Sequence, residues 1–137
     1  MADLVITAAS VLAGSGAKKV NGTAGATITA GQVVYLDSAD NEYKLADNDS
    51  ATAAVRSVAG IALHASLDGQ PLTILSAGPI TIGATVAIGT VYCLSSTAGA
   101  ICPAADIASG DYNTVLGVAT STTVIDVKLH AAGAAVA

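Results

Sequence analysis

An all-β fold is the class this sequence predicts, and three observations predict it. The apolar runs are short, β-branched and punctuated by glycine, a hairpin-type turn separates two of them, and one strand pattern occurs twice. With 137 residues the chain is long enough for one domain and too short for two ordinary ones. Alanine is abundant and favours helix, yet the three- and four-residue apolar spacing of a helix is missing. Instead Thr27-Ile28-Thr29 leads through Gly31 to Val33-Val34-Tyr35-Leu36, and Pro79-Ile80-Thr81-Ile82-Gly83 has the same character. Thr123 to Leu129 is another such run. Asp68-Gly69 predicts a two-residue hairpin loop between Gly60–Leu63 and Leu72–Leu75. Any helix is short, near Ser50 to Val55.

The repeat is the most informative feature. GATITAGQVVYLDS starts at Gly25 and GATVAIGTVYCLSS at Gly83, and half of the aligned positions are identical at an offset of 58. Gly25 matches Gly83, Gly31 matches Gly89, Val33 matches Val91 and Leu36 matches Leu94. Val58-Ala59-Gly60-Ile61-Ala62 then matches Val115-Leu116-Gly117-Val118-Ala119 at an offset of 57, with a looser likeness between 72–75 and 125–129. Two copies are too few for a solenoid. They predict a small barrel or sandwich built from two pseudo-repeated strand units, about 25–82 and 83–130. Residues 1–24 precede the repeat, are broken by Gly14, Gly16 and Gly22, and read as an extended arm, with an integral strand of the barrel as the alternative. Residues 131–137 are small and uncharged and read as a flexible tail.

Composition narrows the function. Apolar residues make up 53% of the chain, which excludes a disordered one, but Phe and Trp are absent. A core of Ala, Val, Ile and Leu gains roughly 1.5–3 kcal/mol per fully buried Val or Leu and much less per Ala. Such a core is thin, and partner subunits could complete it. Between Asp68 and Asp106 no side chain carries a formal charge, but Pro71, Gly78, Pro79, Gly83, Gly89, Gly99 and Pro103 break that stretch, so no membrane-spanning helix is expected. It reads as strands buried against other chains, with Ile80, Ile82, Val86 and Ile88 as the expected subunit interface. The N-terminus starts with an acidic residue and has no charged n-region, so no secretory signal is read there. A net charge of −5 with five basic residues argues against nucleic-acid binding.

No constellation points to catalysis. Gly14-Ser15-Gly16-Ala17-Lys18-Lys19 lacks the glycine spacing of a phosphate loop and the Ser or Thr after its lysine. Asp47-Asn48-Asp49 begins like a calcium loop, but the central Gly and late Glu are missing, and a solvated hairpin tip around Asp40-Asn41 better explains the acidic cluster. His64 and His130 have no nearby carboxylate or Cys to complete a zinc site. No nucleophile-elbow sequence accompanies the Ser, His and Asp residues, and Glu42 is the only Glu, so neither a hydrolase triad nor a glycosidase carboxylate pair is indicated. No cofactor and no metal are expected, and the chain reads as a non-enzyme. Cys93 and Cys102 would face each other if the intervening loop were Thr97-Ala98. An Ala98-Gly99 loop, which the glycine favours, would instead place Cys93 opposite Ala104. Two buried free thiols are expected.

Across GTAGATITAGQVVYLDSADNEYKLAD and VAGIALHASLDGQPLTIL, and from VITAAS through VLGVAT, the sequence resembles the small head decoration, or capsid-stabilising, proteins of tailed bacteriophages. The motifs that carry this are structural glycines and strand residues. The resemblance implies a β-rich subunit, often trimeric, on the capsid exterior, made in the host cytoplasm and bridging major capsid protein subunits. The expected lattice contacts are Leu4, Val5, Ile6, Lys18 and Lys19 of the arm. The alternative is a carbohydrate-binding or host-adhesion module, for which Tyr35, Tyr43, Tyr92 and Tyr112 are the only aromatic side chains.

Overall fold

The computed structural model describes residues 3–135, and among these the chain is all-β, as its sequence predicts. The strands are β1 (Val11–Ala13), β2 (Lys18–Thr23), β3 (Val33–Asp37), β4 (Glu42–Leu45), β5 (Gly60–Ala62), β6 (Pro71–Ile82), β7 (Val91–Leu94), β8 (Ile101–Pro103), β9 (Tyr112–Ala119) and β10 (Val124–Ala135). They form one curled half-barrel sheet in the order β4-β3-β5-β6-β10-β9-β7-β8, with β1 and β2 paired onto β6. Helical structure among the described residues is limited to short 3-10 turns. One of them, Ala53–Arg56, overlaps the expected position.

The sequence repeat is a structural repeat. In the first unit β3 pairs β4 with Val34 opposite Leu45 and Tyr35 opposite Lys44. In the second, β7 pairs β8 with Tyr92 opposite Pro103 and Cys93 opposite Cys102, the same register moved on by 58. Val33 faces Ile61 and Val34 faces Gly60, while Val91 faces Val118 and Tyr92 faces Gly117. The spatial order β4-β3-β5-β6 therefore recurs as β8-β7-β9-β10. Gly60 and Gly117 recur for a steric reason: a Cβ on either would collide with the neighbouring strand's backbone, at Leu75 and at Asp126.

At an offset of 58, β2 corresponds to the second half of β6. The twelve-residue β6 thus ends the first unit and begins the second, and its two halves meet at Gly78 (φ +98°) and Pro79. A bulge lies next to this junction, where Lys18 faces Ala77 but Lys19 faces Leu75. One extra residue reverses which face alternate side chains take. Because of it, Leu75 before the bulge and Ile80 and Ile82 after it all point into the same core.

That core joins both units through Val33, Tyr35, Ile61 and Leu75 from the first and Tyr92, Leu94, Ile101, Leu116 and Ile125 from the second. A smaller core of Ile28, Val34, Tyr43, Ala62, Leu72 and Ile74 fills the cup of the first unit. The first-unit sheet is buried on both faces, which is why Val33-Val34-Tyr35 is a continuous apolar run. The cup closes where Ala24 bridges Tyr43 and the Gly25 N–H donates to the Tyr43 carbonyl at 2.7 Å.

Four expectations need correction. Residues 11–23 are not an arm: β1 and β2 run along β6 from Ile82 back to Pro71, on the edge opposite β5 and β10, which otherwise lacks backbone partners. The segment from residue 131 continues β10 to Ala135, opposite Tyr112 of β9, and residues 136 and 137 lie outside the described residues. The β5–β6 hairpin is centred on Asp68, but its loop is longer than two residues because Ser66 turns aside to bridge Ile28. Cys93 faces Cys102 rather than Ala104. Gly99 takes φ +76° outside the centre of that turn, where its N–H donates to the Ala46 carbonyl.

Gly60→Ala and Gly117→Ala should each cost about 2–3 kcal/mol in urea unfolding, the range of a backbone clash in a packed sheet. Gly69→Ala, where the added methyl meets open space at φ +86°, should cost only about 1 kcal/mol.

Candidate interaction surface

Cross-strand partners share a face, as do residues two apart along a strand. Leu12 lies beside Thr81, and Thr81 beside Val124. Two residues along β10, Asp126 lies beside Pro79 and Val118, and Val118 beside Val91. These side chains form one outward face across β1, β6, β10, β9 and β7. Leu12 is 65% exposed and Val118 40%. Asp126 is the one formal charge among them. The equivalent positions of the first unit, Val33 for Val91 and Ile61 for Val118, are completely buried against the second unit. The same strand face is thus an internal interface in one copy and open in the other. Ile88, 67% exposed, lies in the loop beside this face, where the Gly89 N–H donates to the Ala119 carbonyl.

Of the residues expected at a subunit interface, only Ile88 is accessible. Ile80, Ile82 and Val86 are buried in the chain's own core, because the uncharged stretch supplies the inner face of the second unit. The expected lattice-contact residues divide in the same way. Leu4 and Ile6 pack against the shared core, while Val5 between them points outward and is 90% exposed. Lys18 and Lys19 are exposed on β2 beside the β6 bulge. The outward face of Leu12, Val118 and Val124 escaped sequence reasoning. Its alternation with buried residues is visible in the strands, but which face lies inside is set by strand pairing.

The polar groups mostly hold loops in place. Lys44 donates to Asp37 at 2.8 Å and to Asp40 at 3.0 Å, which holds the lysine above its usual pKa and Asp37 below its own. Arg56 sits 3.6 Å above the Tyr112 ring and donates to the Ser50 carbonyl. Buried Asn48 donates through its side chain to Leu94 and through its backbone to Ser95. Beside it, burial and the neighbouring Asp49 carboxyl push Asp47 up to about 6. Among the described residues no group of three or more His, Cys, Asp or Glu is arranged to hold a metal ion. Nor is any helix among them long and apolar enough to cross a membrane. Tyr35, Tyr43 and Tyr92 are buried, so they offer no stacking platform for a sugar ring. No family model, no curated protein and no solved structure matches the chain.

Cys93 and Cys102 are free and buried, as expected, and burial pushes both thiols up to about 11. The thiolate is the reactive form. A disulfide-exchange thiol reagent at neutral pH should therefore react roughly a hundredfold more slowly with the native chain than in guanidinium, where both thiols should titrate.

Asp47 sets a pH dependence. Its folded pKa of about 6 lies above the ordinary 3.8, so the folded chain keeps a proton that the unfolded chain has already lost. Stability should fall as pH rises from about 4 to about 6 and lose nothing further from this group above that. Asp47→Asn keeps an oxygen for the Asp49 N–H and should raise the melting temperature at pH 7 but not at pH 4. Thermal melts of both proteins across this range check it.

Proposed function

We propose that this chain is a virion structural subunit that decorates and stabilises the exterior of a tailed-phage capsid by bridging major capsid protein subunits, acting as a homotrimer. The observation that carries the reading is the outward face on which Leu12 and Val118 are exposed beside half-buried Val91 and Val124. Exposed apolar patches of this kind mark protein contacts, and the equivalent face of the first unit is itself buried in one. The resemblance of the sequence to head decoration proteins supports the same reading. Several copies seated on one lattice turn individually weak contacts into firm attachment. Binding that favours the assembled shell then stabilises it by mass action.

Cosedimentation with shells of the major capsid protein from the same phage genome tests this. Leu12→Asp together with Val118→Asp should weaken binding at least tenfold, about 1.4 kcal/mol, with little change in the melting temperature, because both side chains are exposed. Equal binding by the variant would remove this face from the reading, and no binding by the unsubstituted chain would end it. A glycan array probes the host-adhesion alternative.

A further inference from the structure

The two cups are closed differently. In the first unit the chain closes its own rim, Ala24 against Tyr43. The equivalent positions in the second unit are Ile82 and Ile101, and residues 3–7 bridge this rim instead. The Leu4 N–H donates to the Ile101 carbonyl at 2.8 Å, and the Thr7 N–H to the Gly83 carbonyl at 2.8 Å. The Ser95 hydroxyl donates to the Asp3 carboxylate. Leu4 and Ile6 point into the core and Val5 outward, the alternation of an inserted strand.

The groove floor is built for close approach. A Cβ on Gly31 would lie 2.7 Å from the Ile6 side chain, and one on Gly83 would collide with the Thr7 carbonyl. The segment does not fill the groove, since a cavity of about 250 Å³ remains beside Leu4 and Ile6, against Gly31, Gln32 and Gly99. Only the Ala8–Ser10 turn, which buries no residue, connects the segment to β1.

We infer that this rim groove is a binding site for an extended apolar strand, and that its partner is residues 3–7 of a second copy, exchanged between subunits. The contacts made within one chain are the contacts the exchange remakes, so opening costs little beyond the 3-10 turn. Residues 8–10, when extended, span about 10 Å. The exchange gives each subunit a second unit closed by its neighbour, independently of what the assembly binds.

Two measurements on the full chain test it. In sedimentation velocity the unsubstituted chain should form oligomers as concentration rises, and Leu4→Asp with Ile6→Asp should leave a monomer. A labelled synthetic peptide of residues 2–10 should bind that variant saturably and raise its melting temperature, whereas a peptide carrying the same two aspartates should not. Should the variant fail to fold, the peptide is measured on the unsubstituted chain, with Gly83→Ala as the blocked groove expected to bind at least tenfold more weakly. An unsubstituted chain that stays monomeric overturns the inference. So do oligomers insensitive to the two aspartates, or a peptide that binds neither protein or binds the blocked groove equally well.

Discussion

Everything in this fold depends on β6 serving two units at once. Its first half must place Leu75 in the shared core and Leu72 and Ile74 in the smaller one, while its second half must place Ile80 and Ile82 in the shared core. A regular strand cannot do this, because Leu75 and Ile80 are an odd number of residues apart and would face opposite ways. The bulge at Ser76, opposite Lys18 and Lys19, supplies the missing residue of register, and Gly78 lets the chain turn where Pro79 has no N–H to give. Without the bulge, one half would turn its isoleucines to solvent.

The shared core also explains how a chain without Phe or Trp becomes compact. Small and β-branched side chains bury little area each, so the first-unit sheet is used on both faces, and Ile28 and Val86, related by 58, are buried in the two cores. The backbone of residues 3–23 completes the arrangement. β1 and β2 cover β6, and residues 3–7 close the rim that the second unit leaves open. The segment that reads as an appendage in the sequence is thus part of the body, and its strongly exposed apolar side chains are Val5 and Leu12.

The two units differ in what covers them. Near-identical strand faces have a buried fate in one copy and an open one in the other, and the difference comes from stacking order rather than from composition. The first unit's outer face is sealed by the second, whereas among the described residues Leu12 of β1 and Val118 of the second unit stay exposed.

The sequence alone determined the all-β class, the duplication and its offsets, and the lack of a long helix. These are local matters: β-branched runs, glycines at close approaches, and a repeated order of turns that fixes the same register twice. Only the tertiary structure decided that Ile80, Ile82 and Val86 are core rather than interface, and that residues 11–23 are strands rather than an arm. It alone set Cys93 opposite Cys102 and left Leu12 and Val118 open. The physical reason is that a strand's alternation shows that it has two faces but not which is buried. That choice is made by the partner strand, by a one-residue bulge and by the neighbouring unit, all distant in sequence.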